Sequence, residues 1–217
     1  MAVVGGVRGV RMRTVGGVLT ALGLLVVAGC SSDGTPGPPS ASATAGSAMA
    51  PTGAPSDLTP ATGEGDTEPI GSVATVVVPA GTTSAPGSAD VPGSEQLVLR
   101  MPDGDAQGLP ALQVTWQEDA TAGVLEQSWS TENLKKADKA VSDLVRSPVE
   151  WPGSPQSVVT TWTETVPLAA GGTVDVDALA LWVGDDDGSV VYAIAYAPAG
   201  ELEGSSSLES LRTLTLG

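Results

Sequence analysis

The chain has 217 residues, of which 25 are acidic and nine basic, with one cysteine and neither histidine nor phenylalanine. A formal net charge of −16 excludes electrostatic binding of nucleic acid. The lack of histidine excludes every His-dependent triad, every His-ligated zinc or haem site and the commonest general base.

In chain order, Arg8, Arg11 and Arg13 precede an apolar run from Val15 to Val27, and the small residues Ala28 and Gly29 follow. That is the order of an export signal. Gly16, Gly17, Thr20 and Gly23 interrupt the run, which is short of the roughly 20 apolar residues that span a bilayer. Residues 1–29 are therefore expected to be a removed signal peptide. Its end, Val27-Ala28-Gly29-Cys30, resembles a bacterial lipobox. The resemblance implies cleavage between Gly29 and Cys30, and diacylglycerol and palmitate on Cys30. The protein would then be lipid-anchored at the cell membrane, on its extracytoplasmic face. An ordinary secretion signal with an incidental cysteine is the alternative. Cys30 has no second cysteine to pair with, and acylation accounts for a lone thiol in an exported protein. More than one acyl chain is needed for a firm hold, at roughly 0.8 kcal/mol per buried methylene. Cleavage would leave six basic against 25 acidic residues, a net charge of −19, so the domain should stand off anionic headgroups. That charge permits a basic partner without requiring one.

Residues 30–69, after the cysteine, are rich in Ser, Thr, Gly, Pro and Ala, without aromatic or basic residues. They bury too little apolar area to offset ordering entropy, and the expectation is a disordered tether. The same composition occurs in O-glycosylated stalks.

Residues 70–217 suit one domain with one core. Val73–Val78 reads as a first strand stopped by Pro79-Ala80-Gly81. Gln96–Met101, turned by Pro102-Asp103-Gly104, reads as a second, and Leu112, Val114 and Trp116 alternate with polar residues in a third. Leu134, Ala137, Val141 and Leu144 then fall three and four apart, which predicts an amphipathic helix over Thr131–Arg146. Ser130 or Thr131 would cap it, and Pro148 would stop it. Its lysines, Lys135, Lys136 and Lys139, read as a solvated face. Trp151-Pro152-Gly153 is a turn signal. Val158–Val166, Thr173–Val183 and Val190–Ala197 read as strands, the last two joined as a hairpin by Asp185-Asp186-Asp187-Gly188. Tyr192, Ile194 and Tyr196 share one face of the last strand, and a helix could pack on the small face of Val191, Ala193 and Ala195. Ser206-Ser207-Leu208-Glu209 fits a capping box before a short terminal helix.

Runs of strands with few helices favour an α+β fold with an antiparallel sheet and packed helices. The lipobox, the tether, Leu109–Trp116, Trp151-Pro152-Gly153 and the ending Tyr196-Ala197-Pro198 together resemble the actinobacterial PsbP-like lipoproteins of the LpqN type. The resemblance implies an α-β-α sandwich around an antiparallel sheet, and a binding or accessory role. It brings no catalytic residues to carry over, and the chain departs from the family's usual aromatics in having no Phe.

No catalytic or cofactor signature stands out. Ser-x-x-Lys in the domain, Gly-x-Ser-x-Gly and the P-loop are all missing, and a carboxylate pair is what remains for a hydrolase. Set in an EF-hand register, Asp185–Gly188 would put Val183 and Ile194 at ligand positions, which fails; a weak non-EF calcium site at the turn and a plain turn stay open. Trp116, Trp162 and Trp182 sit on apolar strand faces and read as core. Trp129 and Trp151 flank the expected helix among polar or turn residues. Each is either a lid on the core edge or an exposed contact of the kind enriched at binding hot spots. The expected function is a non-catalytic, anchored binding or accessory module for an envelope protein or ligand. The alternative is a carrier holding a lipid or other small apolar molecule against the Ala178-Ala180 and Ala193-Ala195-Ala197 faces.

Overall fold

The computed structural model describes residues 48–89, 91–168 and 171–217. The signal peptide, Gly29, Cys30 and the tether up to residue 47 lie outside the described residues. The described elements are β1 (Asp66–Ile70), β2 (Ala74–Val78), β3 (Thr83–Pro86), β4 (Glu95–Arg100), β5 (Ala111–Gln117), α1 (Val124–Ala137), β6 (Val141–Pro148), β7 (Ser157–Pro167), β8 (Thr173–Gly184), β9 (Val190–Pro198), α2 (Ser206–Arg212) and β10 (Thr215–Leu216).

The expected α+β fold, an α-β-α sandwich with packed helices, is not what forms. The protein is mostly β. Two antiparallel sheets, ordered β1-β2-β10 and β3-β4-β5-β9-β8-β7-β6, share one core, and helices of 14 and 7 residues are accessory. That core draws Ile70 and Val76 from the small sheet, Leu99, Leu112, Val114, Leu181 and Val191 from the large one, and Leu208 and Leu211 from α2. One helix of the expected sandwich is thus replaced largely by a sheet.

Two local features explain the difference. The spacing over Thr131–Arg146 reads as one helix, but α1 starts at Val124 behind Gly123 and ends at Asp138, whose Oδ1 accepts from the Ala140 amide at 2.9 Å. Beyond it the chain is a strand. β6 carries a bulge between Ser142 and Val145, with Asp143 at φ +52°, and the inserted residues put Val141 and Leu144 three apart while both pack on the same cluster. A bulged strand therefore imitates helical spacing here. Arg146 lies on β6, and Pro148 ends that strand. Within α1 the buried positions are Val124, Ser128 and Glu132, whereas Leu134 is 59% exposed.

The other feature is the segment before Ile70. Gly53 and Ser56 donate their amides to the carbonyls of Arg146 and Pro148 on the β6 edge, and Ala61 donates to Arg212 O, each at 2.9 Å. Leu58 is buried in the shared core, and Asp66–Ile70 is strand β1. The tether expected to run to Pro69 is therefore part of the domain at least from Gly53. A side chain at Gly53 would meet Ser147 Oγ at 2.4 Å, so only glycine lets the strap lie this close to β6.

β2, β4, β5, β7, β8 and β9 fall where the sequence places strands, whereas β3 and β10 lie outside the expected strands. Gly71, at φ +53°, makes the β1–β2 turn directly over Trp116, whose Nε1 would be 2.4 Å from a Cβ there. α2 forms, one residue out of the expected capping register. Ser205, not Ser206, is the N-cap, its Oγ accepting from the Leu208 amide at 3.2 Å. Leu208 and Leu211 then cover the small face of Val191, Ala193 and Ala195. No helix among the described residues is long and apolar enough to cross a membrane.

Candidate functional site

The face of the large sheet turned away from the shared core is built in cross-strand rows. One row runs Gln96, Thr115, Tyr192, Trp182, Val158; the next runs Val98, Gln113, Ile194, Ala180, Thr160, Arg146; a third includes Ala111, Tyr196, Ala178 and Trp162. Helix α1 packs on β6, β7 and β8. On the rest of this face β9 is covered, with Ile194 4% exposed, and the β4–β5 part is half-open, with α1 as a wall beside it.

Under the helix, charge and aromatic groups fix its position. Arg146 is 2% exposed and donates from Nε and Nη2 to Ser128 Oγ at 3.1 and 2.8 Å and from Nη2 to the Leu125 carbonyl at 3.0 Å. Its Nη1 lies 3.5 Å from Glu132 Oε2, and Lys136 pairs with the other Glu132 oxygen. Burial lowers the Arg146 pKa from its ordinary value, and Glu132 pulls it back up. Near the C-terminal end, Lys135 pairs with Glu164 and stands 4.8 Å over the Trp162 ring, and Trp162 Nε1 donates to Glu164 at 3.0 Å.

At the helix's edge the half-open part becomes a groove of about 230 Å³. Its floor includes Trp182 and Tyr192, stacked with ring centroids 3.5 Å apart and planes 12° from parallel. Gln96, Gln113, Thr115 and Gln117 line it from the strands, and Gln127, Thr131 and Leu134 from α1. None of its thirteen lining residues is charged, in a chain of net charge −16. The amides are partly committed: Gln96 Nε2 donates to Thr115 Oγ1 at 3.0 Å, and Gln127 Nε2 to Gln117 Oε1 and the Ala122 carbonyl, both at 2.8 Å. Among the described residues this leaves the Gln127 oxygen, the Gln117 amino group and the whole Gln113 amide for a ligand, while Gln96 Oε1 lies against Gly87, 2.2 Å from where a Cβ there would sit. Trp182 Nε1 is buried without a partner among the described residues.

Desolvation on this face holds the Tyr192 phenol well above its ordinary value of 10.0, with Tyr196 and the Glu164 charge adding to the shift; desolvation and Glu164 do the same to Tyr196. In the unfolded chain both phenols ionise near pH 10, while the folded chain keeps both protons. The unfolded state then binds fewer protons, so stability, complete below about pH 10, is lost as pH rises further. These are the only tyrosines in the chain. An alkaline titration should show tyrosinate absorbance appearing together with loss of far-UV dichroism; tyrosinate formed near pH 10 in a chain of native dichroism would contradict this packing.

The structure separates the two flanking tryptophans. Trp151 is 4% exposed in the shared core, its Nε1 donating to the Leu214 carbonyl at 3.1 Å, while Trp129 is 39% exposed on α1 and does not line the groove. Lipidation of Cys30 falls outside the described residues. Asp185 Oδ1 accepts from the amides of Asp187 and Ser189, and Gly188 takes φ +93°, which makes Asp185–Gly188 a self-bonded hairpin turn. Among the described residues no group of three or more Asp, Glu or Cys is placed to hold a metal ion.

A second cleft, of about 640 Å³, includes Asp103, Asp105, Glu201 and Glu203. Three of these acids have structural work. Asp103 accepts from Ser206 Oγ, Asp105 from the amides of Gln107 and Leu109, and Glu203 pairs with Arg212. Of the alanine faces expected to leave room for an apolar guest, Ala178 and Ala180 lie against Trp162 and Ile194, Ala193 and Ala195 lie against α2, and Ala197 lines the acidic cleft.

The groove was not visible as a site in the sequence. Its only linear signal is the polar alternation Gln113, Thr115, Gln117, which reads equally as a solvated strand face. Gln96, Gln127 and Tyr192 join it only through pairing and helix placement.

No family model and no curated protein matches the chain. Among solved structures it is similar to a protein from Bacteroides thetaiotaomicron at 15% identity, with 66% of this chain and 45% of that chain covered and a TM-score of 0.38. The chain thus spans less than half the length of that protein.

Proposed function

We propose that this chain is a membrane-anchored extracytoplasmic lipoprotein whose domain is a non-catalytic binding or accessory module for a component of the cell envelope. The observation that carries the binding role is the half-open sheet face, where an uncharged, amide-lined groove lies beside a helix locked in place by Arg146 and Lys135. Half-buried polar groups held on rigid elements are pre-organised to bind, because little freedom is lost on association. The anchor rests on the lipobox at Cys30.

The reading is tested in intact cells with a photo-crosslinking residue at Leu134, on the groove rim, and a control at Asp186 in the hairpin turn. A discrete envelope adduct from Leu134, none from Asp186, and loss of the Leu134 adduct together with membrane association in Cys30→Ala are expected. Equal labelling from both positions, or none from either, would remove the binding role. Unchanged membrane association of Cys30→Ala would remove the anchor.

A further inference from the structure

The lining of the groove also specifies the form of its ligand. Gln113, Thr115 and Gln117 stand at alternate positions of β5 and are spaced by two residues, about 6.8 Å each. An extended polypeptide has the same two-residue repeat, so a segment laid along β5 meets a side-chain hydrogen-bonding group at every repeat. The backbone of β5 is already paired on both sides, with β4 and β9, so a ligand here is bound by side chains and not by strand addition. A side-chain amide suits that task, because it donates and accepts in one plane, as a peptide unit does. The uncommitted groups described above supply both roles.

We infer that this groove binds an extended, uncharged polypeptide segment, a loop or tail of a partner protein, through glutamine amides paired with its backbone; this rests on the binding-module reading above. Charge selects the segment. A charged side chain pressed into thirteen uncharged residues would lose water with no ionic partner among those lining residues, and an acidic one would also meet the field of a strongly acidic chain. The rim offers aliphatic contacts at Val91, 52% exposed, and Leu134, 59% exposed, two of the four large hydrophobic residues most exposed among the described ones. At about 230 Å³ the groove is smaller than the roughly 300–1,000 Å³ of small-molecule sites. It suits a short stretch of chain that enters and leaves. A glycan's hydroxyls could bond to the same amides, but they have no use for the strand-period spacing or the aliphatic rim.

The test uses the isotope-labelled full chain in detergent micelles and two probes: blocked synthetic peptides taken from a random-peptide display selection on the same protein, and dextran oligosaccharides. Selected peptides are expected to be poor in charged residues, to shift the side-chain amide signals of Gln113 and Gln117 in NMR spectra, and to bind about tenfold more weakly to Gln113→Ala. Asp186→Ala should bind them as the parent does, and Gln113→Ala should melt within the ordinary range for a surface substitution. Charged peptides winning the selection, or peptides indifferent to Gln113→Ala, would overturn the inference. Dextran shifting those signals where peptides do not would overturn the peptide ligand and leave the binding module standing. Silence from both probes would remove both.

Discussion

Replacing Arg146 by alanine is expected to cost about 3–5 kcal/mol of folding stability, the range for removing one partner of a buried charged pair. The guanidinium is almost wholly enclosed and makes three hydrogen bonds into α1, to Ser128 twice and to the Leu125 carbonyl. In Arg146→Ala the Ser128 hydroxyl loses both donors, the Leu125 carbonyl keeps the Ser128 hydroxyl at 3.2 Å, and Glu132 is left with Lys136, whose side chain is 58% exposed. The ion pair itself is a small part of this, because its 3.5 Å separation is long. The loss comes from orphaned polar groups. A double replacement, Arg146→Met with Glu132→Leu, should therefore lose less than Arg146→Ala, since apolar groups leave fewer unpaired charges behind. Urea unfolding followed by dichroism measures both, with the denaturant slope unchanged. A loss below about 1 kcal/mol in Arg146→Ala would mean that water takes over the Arg146 contacts, and that the helix is not held as described.

The same residue shows how far the sequence could be read. Period-two alternation located β4, β5 and β7, which have one face in the shared core, and near-continuous apolar runs located β8 and β9, which are buried on both faces. The rule fails where burial and polarity part company. Arg146, Ser128 and Glu132 are buried and polar, so α1 has no apolar stripe, and its true start lacks a side-chain cap to mark it. The apparent stripe at Leu134, Val141 and Leu144 joins an exposed helical residue to two residues of a bulged strand. A helix expected there hides β6, while the layered α+β expectation itself comes from the order of strands and helices and from the family resemblance, and two sheets form instead. Likewise, β1 reads Asp-Thr-Glu-Pro-Ile, and only Ile70 is fully buried, so nothing in its composition separates it from a tether. It is a strand because β2 offers a paired edge, and pairing is a tertiary fact. The groove is hidden for the same reason: its residues come from β4, β5, α1, β8 and β9 and become neighbours only through register.

The second large effect is expected at Trp151. Trp151→Ala should lose about 3–5 kcal/mol, because a large buried side chain is removed from a core that closes only partly around the space. The ring packs in the shared core with Leu58 of the strap and Leu214 beyond α2, and its Nε1 holds the Leu214 carbonyl at 3.1 Å. It therefore ties the strap, the turn at Pro152-Gly153 and the C-terminal strand β10 to one another. Trp151→Phe separates the two contributions: it keeps most of the volume but leaves a buried carbonyl unpaired, at about 1–3 kcal/mol. Trp129→Ala is the counterpart on α1, where 39% exposure predicts a change within about 0.5 kcal/mol. If Trp151 is a structural lid, peptide binding measured at a temperature where Trp151→Phe stays folded should be unchanged, because its ring does not line the groove. Weakened binding in that folded variant would instead make Trp151 part of the contact surface.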